Sequence, residues 1–190
     1  QKIPTETIDK DKIIEYVNKN KTFFIFVKRF LDFIMSLTLI IITLPVWVVI
    51  AIIIKITSRG PIFYKQTRVK INDTLFTIYK FRSMKIDAEK EGAVWTTDDK
   101  TDNRITKFGK FIRKTHLDEI PQLINILRGD ISFVGPRPER PEFTKMLNDN
   151  VQYYDLRHAV MPGLTGWAQI NYRYGASVED SKEKLKYDFY

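Results

Sequence analysis

Two adjacent carboxylates, Asp118 and Glu119, sit in the segment His116-Leu117-Asp118-Glu119-Ile120-Pro121-Gln122, and an arginine framed by prolines, Arg137 in Gly135-Pro136-Arg137-Pro138, follows soon after. An ionised carboxylate can attack phosphorus or bind a hard divalent cation such as Mg²⁺. Neighbouring residues of a helix point about 100° apart, so the pair can hold different roles around one metal. The same two acids also suit plain capping of a helix N-terminus, which favours negative charge. Two prolines stiffen the backbone around Arg137 and leave its guanidinium projecting, a form suited to bidentate capture of phosphate. An ion pair of Arg137 with Glu139 or Glu142 that braces the turn is equally open. Arg82, Arg157 and His158 are further candidates for phosphate or nucleotide contacts, with ordinary surface charge as the alternative; Arg113 with Lys114 helps keep the carboxylate ionised, and Glu142 is a substrate-binding candidate as well as a brace.

The elements that must position these residues are readable from pattern. The segment Asp118–Leu127 carries an apolar stripe at Ile120, Leu123, Ile124 and Leu127 and predicts a helix stopped by Gly129. Arg104–Thr115 places Ile105, Phe108 and Ile112 at helical spacing against Lys107, Lys110, Arg113 and Lys114, which predicts a basic amphipathic helix suited to anionic lipid or to solvent. Ile62–Val69 and Leu75–Arg82 read as a β-hairpin, with Asn72-Asp73 tolerating the left-handed backbone of its turn. A helix is expected over Pro141–Asn148, a turn-rich loop over Met161–Gly166, and loops over 87–103, which contains Trp95, and 171–180.

From Phe33 to Ile54 no residue is charged. As a helix this stretch covers about 33 Å, enough to cross a hydrocarbon core. Pro45 lies inside it, where it removes a backbone hydrogen bond, and Thr43 stands near to satisfy a freed carbonyl. Basic residues flank both ends, Lys28 and Arg29 before and Lys55 and Arg59 after, whereas a simple span shows a one-sided bias. The residues leave open a kinked span or a re-entrant helix bent at Pro45.

Composition narrows the chemistry. Within 190 residues, 31 Lys+Arg face 23 Asp+Glu, a net charge of +8, which favours anionic partners. The absence of cysteine excludes thiolate catalysis, disulfides and Cys-ligated zinc. There is no P-loop, no GxGxxG, no GxSxG and no HExxH. A non-enzymatic module that binds a membrane surface through its basic helix accounts for the charge and the apolar segment, though not for the acidic pair or for Arg137.

Six stretches in order carry a resemblance: Lys28-Arg29-Phe30-Leu31-Asp32, Gly60–Gln66, Tyr79-Lys80-Phe81-Arg82-Ser83-Met84, Leu117–Gln122, Leu127–Pro138 and Pro162–Gln169. Together they resemble the bacterial sugar transferases, the monotopic phosphoglycosyl transferases, and Glu139–Phe143 with Tyr174–Asp180 is most similar to the exopolysaccharide-priming branch. The resemblance implies a mixed α/β, helix-rich fold: a polar leader over 1–27, a proline-broken re-entrant membrane helix over 28–57 and a catalytic domain over 58–190. It implies an enzyme in which Asp118 attacks the sugar-bearing phosphate of a UDP-sugar, and the aspartyl-phosphosugar passes to polyprenyl phosphate. Glu119 and Asp118 hold Mg²⁺, and Arg113 and Arg137 stand near the phosphates. The implied partners are the donor, the lipid acceptor and membrane lipid, with no nucleic acid. The implied location is the cytoplasmic face of a bacterial inner membrane. It further implies a membrane region before residue 1 and a segment after residue 190. The sugar and the oligomeric state are not readable.

Overall fold

The computed structural model describes residue 15 and residues 21–88, 102–172, 175 and 177–189. Most of the expected leader over 1–27 and most of the 87–103 loop with Trp95 lie outside the described residues, while Lys21–Val27, the last part of that leader, are helical. So do three positions of the 171–180 loop.

A single long helix, α1 (Lys21–Thr57), runs without interruption through Pro45. Its residues Asp32, Ser36, Trp47, Ile50 and Ile54 are buried and fall at helical spacing on one face. That stripe packs on the rest of the protein over about 33 Å of helix. The other faces expose Phe26, Phe30, Ile41, Ile42, Val49, Ile52 and Ile56, among others. Thr43 donates to Leu39 O at 2.6 Å and accepts from Trp47 Nε1 at 3.0 Å. The carbonyl that Pro45 frees belongs to Ile41, so Thr43 serves a neighbouring carbonyl rather than the expected one.

The predicted hairpin is present. β1 (Phe63–Val69) pairs antiparallel with β2 (Leu75–Phe81), Val69 opposite Leu75 and Phe63 opposite Phe81. Asn72 and Asp73 turn the chain at φ 55° and 56°, the left-handed conformation that short polar side chains tolerate. Trp47, Phe63 and Phe81 join α1 to the hairpin edge-on and stacked, with centroids 5.4 to 6.3 Å apart.

The basic helix is α2 (Lys107–Lys114), capped by Thr106 Oγ1 accepting from Gly109 N at 2.9 Å, with Ile105 and Ile112 buried as the spacing predicts. The helix expected from Asp118 is two elements. Leu117–Glu119 form a separate 3₁₀ turn, and α3 (Gln122–Arg128) begins only after Pro121. Proline lacks an N–H and restarts the helix, so Asp118 is not an N-cap. Gly129 ends α3 at φ 82° as expected. Lys28, Arg29 and Asp32 bolt α1 to this region. Arg29 donates to Ile126 O and Leu127 O at the C-terminus of α3, Lys28 to Ser132 Oγ and Val134 O, and Asp32 accepts from Phe133 N at 3.2 Å.

Two short strands were not expected, and the second falls within the turn-rich loop read over Met161–Gly166. β3 (Ser132–Val134) pairs in parallel with β4 (Gly163–Thr165). The backbones approach so closely that a Cβ on Gly163 would lie 2.1 Å from Gly135 N. Between and after them run α4 (Pro141–Asn150), a 3₁₀ helix Tyr154–Ala159, α5 (Trp167–Asn171) and α6 (Val178–Asp188). Leu147, Val151, Tyr154 and Leu185 form a second core under α4 and α6.

Asn125, fully buried on α3, ties that helix to β2: its amide donates to Thr77 O at 2.7 Å and accepts from Tyr79 N at 3.1 Å. Asn125→Ala strands a strand donor and acceptor away from water. We expect it to lower unfolding free energy by about 3 kcal/mol, read from denaturant unfolding in detergent.

Candidate active site

The acidic pair lies in the wall of a cavity of about 1400 Å³. The 3₁₀ turn that carries it starts from His116 in a left-handed conformation, φ 55°, and ends against Pro121, so both carboxylates are presented by a short fixed arc. Glu119 Oε1 accepts from Lys80 Nζ and from Arg137 NH2, each at 2.7 Å. Asp118 is 5% exposed, and its carboxylate makes no hydrogen bond or ion pair among the described residues. The two neighbours are therefore chemically unlike. Burial pushes the Asp118 carboxyl above its ordinary value, with Lys80 opposing and Glu119 adding to the rise. Burial acts on Glu119 in the same sense, but the Arg137 and Lys80 cations outweigh it and hold that carboxyl far below the usual carboxylate range.

Lys80 was not among the residues expected to act, though its motif was noted. Strand alternation carries the signal: Lys80 shares a face of β2 with buried Phe76 and Ile78, and a lysine directed inward needs a partner. Burial lowers its ammonium below the ordinary value, against the pull of Glu119.

Arg137 is held from both sides. Gly135 N donates to Thr165 O and Gly163 N to Pro136 O, each at 2.9 Å, which fixes the proline-framed segment onto β4. Arg157 NH2 donates to Arg137 O at 2.9 Å, and the same guanidinium meets Asp188 Oδ2 at 3.0 Å and the Tyr154 hydroxyl. Arg157 thus lies in the cavity wall and positions Arg137. Of the two readings for Arg137, the brace by Glu139 or Glu142 gives way to a bond with Glu119.

Arg113 also lines the cavity and acts on Asp118 through its charge. Arg82 lines it too, while its guanidinium donates to Arg59 O, Ser58 O and Ser58 Oγ, clasping the turn after α1. Two candidates lie elsewhere. Glu142 is exposed on α4 beside Arg140, at 3.7 Å. His158 is buried against the hairpin turn, Nδ1 2.6 Å from Asp73 Oδ1, and does not line the cavity. In α4, Glu142 follows Pro141 on the outer side of the first turn. His158 faces away from Arg157 because adjacent side chains of a 3₁₀ helix diverge by about 120°.

The far wall of the cavity belongs to α1 and α5: Leu39, Thr43, Ala168 and Ile170 border it. A polar floor of Asp118, Glu119, Lys80 and Arg137 thus opens toward the apolar helix. No group of three or more His, Cys, Asp or Glu side chains suited to a metal occurs among the described residues.

Residues 23–190 match the family model described as bacterial sugar transferase, and the chain belongs to that family. It is 37% identical over 193 residues to a UDP-N-acetylgalactosamine-undecaprenyl-phosphate N-acetylgalactosaminephosphotransferase of Aeromonas hydrophila, covering 98% of this chain and 45% of that protein. It is 42% identical over 147 residues to an undecaprenyl-phosphate glucose phosphotransferase of Komagataeibacter xylinus, covering 76% and 27%. It is 40% identical over 159 residues to a UDP-glucose:undecaprenyl-phosphate glucose-1-phosphate transferase of Escherichia coli K12, covering 84% and 33%. The chain spans less than half the length of each of these three relatives.

Proposed function

We propose that this chain is the catalytic part of a membrane-bound phosphoglycosyl transferase that moves a phosphosugar from a UDP-sugar to polyprenyl phosphate through a covalent intermediate on Asp118, in exopolysaccharide or glycoconjugate synthesis. The observation that carries the reading is the division of labour in the acidic pair. Glu119 is locked between Lys80 and Arg137, while the adjacent Asp118 carboxylate is unengaged in a cavity that runs from cations to an apolar helix. A nucleophile needs a free lone pair, and Asp118 has one. Its oxygen forms a bond to the sugar-bearing phosphorus while the phosphorus–oxygen bond to UMP breaks, and the electron pair leaves with UMP. The acceptor phosphate oxygen then attacks the same phosphorus, the bond to Asp118 breaks, and the carboxylate is restored with polyprenyl-diphosphate sugar as product. Glu119 holds Arg137 and Lys80 where charge develops on the transferring phosphoryl group.

The relatives' names supply the substrate classes: undecaprenyl phosphate occurs in all three and a UDP-sugar in two. The stripe along α1 supports a monotopic arrangement. A charged body packed beside about 33 Å of helix cannot share the hydrocarbon with it, so we infer that both helix ends lie on one side of the membrane, and Pro45, inside the continuous α1, is the proposed place for a re-entrant bend. That side is the cytoplasmic face, where nucleotide sugars are found. The basic-module reading leaves the Lys80–Glu119–Arg137 constellation without a purpose.

Mg²⁺ is part of the proposal. The residues fit it in a conditional way: two carboxylates are too few for a closed cage, and Lys80 and Arg113 repel a bare cation. Asp118 and Glu119 would hold it together with donor phosphates, and it would shield phosphate charge during transfer. We expect negligible Mg²⁺ binding by calorimetry without nucleotide and clear binding with a UDP-sugar present. Tight binding to the free protein would refute the shared site.

The test of the function is intact-protein mass spectrometry in nanodiscs with Mg²⁺ and a panel of UDP-sugars, without acceptor. A gain of one phosphosugar that disappears when polyprenyl phosphate is added confirms the reaction. UMP release with no adduct from any competent donor rejects the covalent route.

A further inference from the structure

The cavity exceeds the roughly 300–1,000 Å³ of an ordinary small-molecule pocket, and its polar surface falls into two groups. One surrounds Asp118, whose charged neighbours are Lys80, Glu119, Arg113 and His116. The other lies between β1, α4 and α6. There Arg68 is surrounded by Glu139, Arg137 and Arg140, and Lys184 by Glu139, Asp180, Arg157 and Arg137. Arg137 bonds to Glu119 of the first group and is a charged neighbour of Arg68 and Lys184 in the second, so it links the two. The second group brings the cations Arg68, Arg140, Arg157 and Lys184 to the cavity wall against the carboxylates Glu139 and Asp188. This excess of positive charge is separate from the acidic pair, and apart from Arg157, which positions Arg137, its cations have no role in the transfer described above.

In-line displacement at phosphorus puts the leaving oxygen opposite the nucleophile. With Asp118 on one side of Arg137, the leaving phosphate falls on the other. Resting on the function proposed above, we propose that the Arg68–Arg140–Lys184 lobe holds the nucleoside 5′-monophosphate half of the donor and retains it after cleavage. Arg140 lies over the Phe143 ring at 5.5 Å and Arg157 over the Tyr154 ring at 4.9 Å, cation–π contacts that help hold both guanidinium groups in place. Arg68 and Arg157 also brace backbone, through Pro138 O and Arg137 O, so they are poor probes. Lys184 donates from α6 to Gly175 O at 2.8 Å, away from that segment, and is the better one.

The experiment is calorimetric binding of UMP to the protein in nanodiscs, without acceptor. Lys184→Met and Arg140→Met are each expected to weaken UMP at least tenfold, Lys184→Arg to recover most of the loss, and Lys145→Met on the outer side of α4 to change nothing. Inorganic phosphate is expected to bind far more weakly than UMP. Unchanged UMP affinity in both methionine variants overturns the assignment. Phosphate competing as well as UMP overturns its nucleotide character. The two proposals fail separately. If these variants lose UMP but no donor yields a phosphosugar adduct, the lobe stands and the covalent route falls. If adducts form while UMP affinity is untouched, the reverse holds.

Discussion

Asp118→Asn is expected to abolish the phosphosugar adduct and to cut turnover by about 10³-fold or more, equivalent to about 4 kcal/mol of barrier. Asparagine keeps the size of the side chain and loses the anionic lone pair that attacks phosphorus. The fold should survive, and the linkage sign makes this checkable. The folded-state pKa of Asp118 is raised by burial, so the folded protein keeps a proton that the unfolded chain releases. This group therefore takes stability away as pH rises from the ordinary Asp value through its raised value. A neutral asparagine carries no such penalty, and the variant should melt at the same temperature as the parent or higher at neutral pH. A lower activity with an equal or higher melting point separates chemistry from folding. The same pKa predicts the parent's pH profile. The attacking group must be ionised, so adduct formation should rise with pH along an acid limb of one proton, centred above the ordinary Asp value. Glu119 is ionised throughout that limb because Arg137 and Lys80 hold its pKa so low. A variant that still forms adduct, or a limb centred below the ordinary value, sinks the assignment of Asp118.

Much of this arrangement was legible in sequence because it rests on local rules. The hairpin followed from β-rich runs around Asn72-Asp73, the basic helix from the spacing of Ile105, Phe108 and Ile112, and the end of α3 from Gly129. What escaped depended on contacts between distant segments. Gly163–Thr165 forms a strand because β3 lies beside it, and no property of Gly-Leu-Thr specifies that partner. The start of the helix was misplaced because acids in a first turn and acids in a preceding 3₁₀ turn have the same pattern, and Pro121 decides between them. The acidic pair and Arg137 were recognised, but their union at Glu119 was not, since an arginine between prolines shows that it is stiff without showing where it points. His158 and Glu142 were chosen for chemical type, and tertiary placement took both out of the cavity. Lys80 was the reverse case: a plain lysine in a strand, made consequential by the face on which it falls.

That lysine makes the second large prediction. Lys80→Met keeps an aliphatic stem of similar length on β2 and removes the cation that serves both carboxylates. Glu119 then depends on Arg137 alone, and Asp118 loses the strongest charge favouring its ionised form. We expect adduct formation at neutral pH to fall about 10²-fold, the scale seen when one electrostatic donor is deleted from an active site. Stability should change by about 2 kcal/mol or less, because the desolvation cost of a buried ammonium disappears along with its ion pair. A loss through folding and a loss through electrostatics differ in their pH dependence. Without Lys80 the Asp118 pKa rises further, so the acid limb of the rate profile moves to higher pH, and part of the lost activity returns as pH is raised. Structural damage would lower the whole profile without moving the limb. The Glu119→Gln background then sets the route of the effect. If Lys80 acts by holding Glu119 and, through it, Arg137, the two substitutions together cost little more than Glu119→Gln alone. If Lys80 acts directly on Asp118 and the transferring phosphoryl group, the losses multiply and the limb still shifts. The geometry favours the first route, because Lys80 bonds to Glu119 Oε1, the same oxygen that anchors Arg137. One oxygen bridging two cations means that neither can move without releasing the other, so the acid beside the nucleophile serves as the fixed point of the site.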